Sequence, residues 1–165
     1  MEMIIRAMEK EDWEAVAAIF QEGIDLKTAT FHTKVPSNEE WDASHTKDCR
    51  LVAEEDGIVI GWASLGPYSN RLAYRGVAEV SIYIRLGNRG KHIGSKLLQA
   101  LIDESEKQGY WTLLSRIFKI NSASIALHEK LGFQMVGCLE RIGQDNNGVW
   151  QDVVLMERRS KKTGI

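Results

Sequence analysis

The residues from Arg85 to Ser95, Arg-Leu-Gly-Asn-Arg-Gly-Lys-His-Ile-Gly-Ser, join an apolar strand-like run to a helix-like run through a basic, glycine-rich corner. A helix beginning near Lys91 or His92 leaves its first N–H groups without intrahelical partners, and glycine lets a ligand approach the main chain closely. Those N–H groups, the positive end of the helix and the side chains of Arg85, Arg89 and Lys91 together suit a pyrophosphate. The plainer alternative is a solvated basic turn that only starts a helix.

Two further stretches carry groups able to do chemistry. In Ala78-Glu-Val-Ser-Ile-Tyr-Ile84 the period of a strand places Glu79, Ser81 and Tyr83 on one face and Val80, Ile82 and Ile84 on the other. Glu79 is then a carboxylate amid apolar neighbours, where burial disfavours the charged form and fits it to take a proton from an amine, directly or through water. A structural ion pair with Arg75, Arg71 or another base is the competing reading. In Asn121-Ser-Ala-Ser-Ile-Ala-Leu-His-Glu-Lys-Leu-Gly-Phe133, Asn121 is a good helix N-cap, and Ser124 and His128 lie one turn apart on the same face. They could touch a ligand at the helix start. Equally, Asn121 could serve only as a cap and His128 as a partly buried histidine with a satisfied hydrogen bond.

The elements that must position these groups follow an α/β order. Met3 to Ala7 predicts a strand, and Trp13, Val16, Ala17 and Phe20 recur at helical spacing after it. Glu22 to Val35 has weak periodicity and contains Thr28-Ala-Thr-Phe31, a segment placed to close over a ligand, before the capping box Ser37-Asn-Glu-Glu40 introduces a short helix at Trp41. Arg50 to Glu54 and Ile58 to Leu65 flank Asp56-Gly57 and predict an antiparallel hairpin. Gly66 to Arg75 is a polar loop, and Val77 to Ile84 is the fourth strand. A third helix is expected over about Lys91 to Lys107, with Ile93, Leu97, Leu98, Leu101 and Ile102 on one face and Gly109 ending it. Trp111 to Ile117 reads as strand five, Asn121 to Leu131 as a helix closed by Gly132, and Phe133 to Glu140 with Val149 to Glu157 as a final pair of strands. Residues 1–158 are expected to form a single domain and 159–165 a short, basic, solvated tail.

Bulk properties narrow the partners. The chain has 165 residues, enough for one domain with a real core, and a net charge of −2. That balance argues against nucleic acid or an anionic membrane as the main partner. The two cysteines, Cys49 and Cys138, have neither disulfide-framework nor zinc spacing, so no metal is expected and a cytoplasmic setting fits. The first residues, Met-Glu-Met-Ile-Ile-Arg, lack the apolar core expected of a signal peptide, and no stretch approaches the ~20 apolar residues needed to span a bilayer. The chain also lacks a Gly-x-Ser-x-Gly elbow, a Walker loop and a zinc-spaced His-Glu pair.

In combination, the element order, the Arg-Gly-Lys-His-Ile-Gly turn after Ser-Ile-Tyr-Ile, and the Asn121 to Phe133 segment resemble the Gcn5-related N-acetyltransferase superfamily over nearly the whole chain. Glu22-Gly-Ile, Thr28-Ala-Thr-Phe31, Trp41, the Arg75 to Glu79 segment and Gly148-Val-Trp-Gln-Asp-Val-Val-Leu-Met156 are similar to the phosphinothricin and methionine sulfoximine acetyltransferase branch. The resemblance implies an α/β (α+β) fold with a mixed sheet of about seven strands, antiparallel in its N-terminal part, with strands four and five parallel and splayed and about four flanking helices. It implies acetyl-coenzyme A as cosubstrate, a small-molecule amine as acceptor and a homodimer. By position, Ile82, Tyr83 and Ile84 would line the pantetheine. Arg89, Gly90, Lys91, His92, Ile93, Gly94 and Ser95 would cradle the pyrophosphate, with Asn121, Ser124 and Lys130 completing the coenzyme site. Glu79 falls at the general base and His128 where a tyrosine proposed to protonate the thiolate often stands. Thr30, Phe31, Ser69, Asn70, Arg71 and Arg75 fall at the acceptor, with Arg75 the candidate for its carboxylate.

Two departures stand out. His92 replaces an expected glycine, and its N–H can still donate if its backbone is helical. Ser69 and Asn70 do not repeat the basic and proline residues of close relatives. The implied mechanism is direct attack of the acceptor's amine on the thioester in a ternary complex, without metal or covalent intermediate. Acetylation of a protein or polyamine, or a non-catalytic acyl-coenzyme A sensor, are the alternatives; Arg71 and Arg75 disfavour a polyamine.

Overall fold

Asp56 and Gly57 both take positive φ, 53° and 78°, the combination whose twist matches a two-residue hairpin. They join strand β2 (Leu51–Glu55) to β3 (Ile58–Pro67) in the computed structural model, which describes residues 2–90 and 92–165. Strand β1 (Met3–Ala7) pairs with β2, and β4 (Val77–Ile84) with β3, all antiparallel. Strands β5 (Thr112–Phe118), β6 (Gln134–Gln144) and β7 (Trp150–Arg159) complete a seven-stranded sheet in the order β1-β2-β3-β4-β5-β7-β6. Only β4 and β5 run parallel. Their pairing covers Val77 to Glu79 against Thr112 to Leu114 and stops there, so the strands diverge beyond it.

Helices cover both faces. Helix α3 (Ile93–Lys107) buries Leu97, Leu98, Leu101 and Ile102 against Ala53, Ala63, Leu65, Ala78, Ile117 and Met156. Helix α4 (Ser122–Lys130) lies on the same core through Ile125 and Leu127. On the opposite face, α1 (Trp13–Leu26) packs Val16, Ile19, Phe20 and Ile24 with Val52 and Trp62, and α2 (Asn38–Ser44) adds Trp41. The predicted capping box of α2 forms: the Ser37 hydroxyl accepts from the Glu40 N–H at 3.1 Å, and the Glu40 carboxylate accepts from the Ser37 N–H at 3.0 Å.

Three expectations change. Helix α3 begins at Ile93, because His92 takes a left-handed conformation at φ 61°; the expected helical backbone at His92 is not adopted. The last two strands are longer than their apolar runs, because irregular pairing between Leu139 and Gly143 lets β6 continue to Gln144. The segment after Glu157 is solvated only in part: Lys161, Lys162, Gly164 and Ile165 are exposed, while Ser160 is buried. Arg159 belongs to β7 and donates to the carbonyls of Ser160, Thr163 and Gly164, while the Ser160 N–H donates to the Trp111 carbonyl at 2.8 Å.

Gly23 of α1 lies where an added Cβ would meet the Tyr83 ring at 2.6 Å, and that ring is stacked between Phe20 and Trp62 at 4.9 and 5.0 Å. Gly23→Ala is therefore expected to cost about 1–3 kcal/mol through overpacking, read from the urea midpoint; an unchanged midpoint would contradict the packing. Burial lowers the pKa of both His45 and His128 from 6.5. The unfolded chain binds those protons more readily, so their contribution to stability is complete above that value and is lost as pH falls through it. Unfolding free energy should drop as pH falls below 6.5, and His128→Gln should reduce that slope. A slope unaffected by that change would show that His128 does not titrate with folding.

Candidate active site: a cleft between diverging strands

Beyond Glu79 and Leu114 the facing edges of β4 and β5 have no strand partner, and the gap between them becomes a cleft. Its larger part, about 540 Å³, is lined by Val80 to Tyr83 of β4, Ser115 to Phe118 of β5, the Ala29 to His32 loop, Asn121, Ser124 and His128 at α4, and Leu139, Ile142 and Val153. A second part of about 340 Å³ shares Ala29, Ile82, Tyr83, Asn121 and Ser124 with the first and runs under the corner before α3. Its walls include Ile84, Asn88, Arg89, Gly90, His92, Ile93, Gly94, Ser95 and Leu127. The two form one channel.

The corner is built for a large anion. Gly90 and His92 both carry positive φ, 81° and 61°, which turns the chain tightly into α3. His92 makes no side-chain cap, and the first turn of α3 holds no acidic residue, so the positive end of the helix faces the cavity without a competing charge. Gly94 lies against Leu127, which an added Cβ would meet at 3.2 Å. On the approach, Glu22 of α1 accepts from the Leu86 N–H at 3.1 Å and holds the turn between β4 and α3. A diphosphate with an extended, apolar-walled arm matches these surfaces. Of the residues expected here, Ile82, Tyr83, Ile84, Arg89, Gly90, His92, Ile93, Gly94, Ser95, Asn121 and Ser124 line the cavity. Lys130 is exposed and does not line it, and Lys91 lies outside the described residues.

Glu79 does not itself line the larger cavity, but it accepts from a guanidinium nitrogen of Arg116, which does. Its side chain is 32% exposed and that of Arg116 51%. The expectation of a carboxylate amid apolar neighbours is thus corrected: divergence of the strands opens that face of β4 to solvent, and the neighbouring strand supplies a cation. The partner is neither Arg71 nor Arg75. The Arg75 guanidinium sits 5.2 Å from the Trp111 ring and donates to the Leu72 carbonyl, and none of Ser69, Asn70, Arg71 and Arg75 lines the cleft. Thr30 and Phe31 do. The Phe31 ring packs 4.5 Å from Phe118 and occupies the space that a side chain at Gly143 would fill.

His128 is 2% exposed. Its Nδ1 lies 2.7 Å from the Ser124 carbonyl; a carbonyl only accepts, so Nδ1 carries the proton. Nε2 is then an unprotonated acceptor, buried and without a partner, as is the Ser115 hydroxyl on the facing strand. Burial lowers the pKa of His128 and raises that of Tyr83, so both stay neutral near pH 7. The Asn121 side chain caps α4, accepting from the Ser124 N–H at 3.2 Å. Arg116 and Ser115 were absent from the sequence-based site. A lone arginine in the otherwise uncharged run Leu113-Leu-Ser-Arg-Ile-Phe118 is the available signal.

The chain matches the model of the acetyltransferase (GNAT) family over residues 12–133. It is 32% identical to an L-methionine sulfoximine/L-methionine sulfone acetyltransferase of Pseudomonas paraeruginosa, covering 95% of this chain and 94% of that protein. Among solved structures, it superposes with a TM-score of 0.89 and 30% identity on a phosphinothricin acetyltransferase from Sinorhizobium meliloti in complex with acetyl-coenzyme A, covering 99% of this chain and 91% of that one. A ribosomal-protein-alanine N-acetyltransferase from Brucella melitensis gives a TM-score of 0.88 at 32% identity, covering 95% and 99%. Sequence, fold and cleft agree: the chain belongs to the acetyltransferase (GNAT) family.

Proposed function

We propose that the cleft transfers the acetyl group of acetyl-coenzyme A to the α-amine of a small amino-acid-like acceptor, of the phosphinothricin, methionine sulfoximine or methionine sulfone type. The observation that carries this reading is the continuity of the cleft. A diphosphate-binding corner at one end leads along the free edge of β4 to a carboxylate and guanidinium pair at the other.

Residues 89–90 and 92–95 hold the diphosphate by main chain and helix dipole, with Arg89 adding charge. The free edge of β4 at Ile82 to Ile84 offers N–H and C=O groups to the pantetheine amides, as an added strand would. The thioester then lies between β4 and β5, within reach of both partners. Glu79 takes a proton from the acceptor's ammonium, directly or through one water, and the amine's lone pair forms the new C–N bond. Strand β4 donates an N–H to the tetrahedral oxyanion. As the C–S bond breaks, Nε2 of His128 takes the proton that the nitrogen sheds and returns it to the sulfur, giving the free thiol. His128 is thus an acceptor before it is an acid. Holding both reactants in one channel supplies much of the acceleration.

The enzyme is further proposed to act as a homodimer. Met135, Val136, Leu139, Ile142, Val149 and Trp150 leave exposed apolar side chains on β6, β7 and their connection, which a second copy of the chain would cover.

A thiol-release assay with acetyl-coenzyme A and phosphinothricin, methionine sulfoximine, methionine sulfone, polyamines and alanine-terminated peptides tests the acceptor class. Turnover confined to the amino acids is expected. Turnover on peptides or polyamines alone would replace the reading, and turnover on no amine would favour an acyl-coenzyme A sensor. Glu79→Gln is expected to bind acetyl-coenzyme A within a few-fold of the parent and to lose about 10²–10⁴ in turnover; full activity in that variant would remove Glu79 from the role of base.

A further inference from the structure

We propose that Arg116 is the residue that recognises the acceptor's carboxylate, and that it does so by exchanging its bond to Glu79 for one to the substrate. The inference rests on the amino-acid acceptor proposed above.

Among the described residues, Arg116 is the one lysine or arginine that lines the acceptor end of the cleft. Neither arginine of the β3–β4 loop lines the cleft, and Arg75 is turned onto Trp111. An α-amino acid carries an ammonium and a carboxylate on one carbon, and Glu79 beside Arg116 presents the matching charges in reverse. Before binding, the protein's two charges satisfy each other at a partly exposed position, where an ion pair is worth little and is readily opened. On binding, the substrate carboxylate takes the planar fork of Arg116, which suits it in bidentate geometry. The ammonium meets Glu79, whose oxygens are released from the guanidinium as the proton to be removed arrives. One ion pair opens in the protein and two form with the substrate. An amine without a carboxylate has no such exchange to offer. Its ammonium must compete with Arg116 for Glu79, or leave the guanidinium without an anion. The pair therefore acts as a filter for zwitterions, and Arg116 determines specificity.

The test compares the best amino-acid acceptor of the thiol-release panel with the amine obtained by removing its carboxyl group, for example methionine sulfone against 3-(methylsulfonyl)propylamine. In the parent protein kcat/KM should favour the amino acid by about 10–100-fold, mainly through KM. Arg116→Gln should bring that ratio towards one, Arg116→Lys should keep part of it, and Arg75→Gln should leave it standing. Calorimetric titration of Arg116→Gln with acetyl-coenzyme A checks that the variant is folded. A ratio preserved in Arg116→Gln, or abolished in Arg75→Gln, would overturn the proposal while leaving the amino-acid acceptor intact. A parent protein that acetylates no amino acid would overturn both.

Discussion

Everything the cleft does depends on where two parallel strands stop bonding to each other. β4 and β5 share a ladder from Val77 to Glu79 and Thr112 to Leu114 and then part. Elsewhere the sheet is antiparallel, and an antiparallel neighbour would have closed the gap. A sheet cannot afford a row of unpaired N–H and C=O groups in its interior unless a ligand or water meets them. At this seam the unmet groups are the binding surface. The core under α3 takes in Ala78 of β4 and Leu113 and Ile117 of β5 and so fixes both strands beside the seam.

Charge is distributed along that seam to match its proposed occupants. The helix end at Ile93 and Arg89 face a region meant for anions, and the centre is walled by Ile82, Ile117, Leu139 and Val153. The outer end carries opposite charges side by side on Glu79 and Arg116. The neutral, Nδ1-protonated His128 stands at the middle, where a transferable proton is needed but a fixed charge would have to be desolvated.

Much of this was legible in the sequence because it is written locally. The Asp56-Gly57 turn, the Ser37 capping box, the Asn121 cap and the apolar face of α3 each depend on residues within a turn or two of one another, and each formed as its pattern predicts. The corner before α3 was legible for the same reason, although His92 adopts a left-handed backbone that a side chain ordinarily avoids. What could not be read was pairing across distance. Glu79 and Arg116 lie in separate strands, 37 residues apart, and alternation within β4 says nothing of which cation β5 brings beside it. The placement of Arg75 over Trp111 and the anchoring of Ser160 are of the same kind, set by which strands become neighbours.

That anchoring has a reach beyond the chain end. Trp111 immediately precedes β5, and its side chain fills the space beside Gly76 and Gly164, where added Cβ atoms would stand 2.2 Å from its ring and 2.7 Å from its Cβ. Arg75 covers it from one side, and the N–H of Ser160 fastens its carbonyl. This clasp sits at the closed end of the V whose open end is the cleft. The Trp111 N–H donates to the Gly76 carbonyl at 2.7 Å immediately before the β4–β5 ladder begins, so the start of that ladder is fixed by residues that line no part of the cleft.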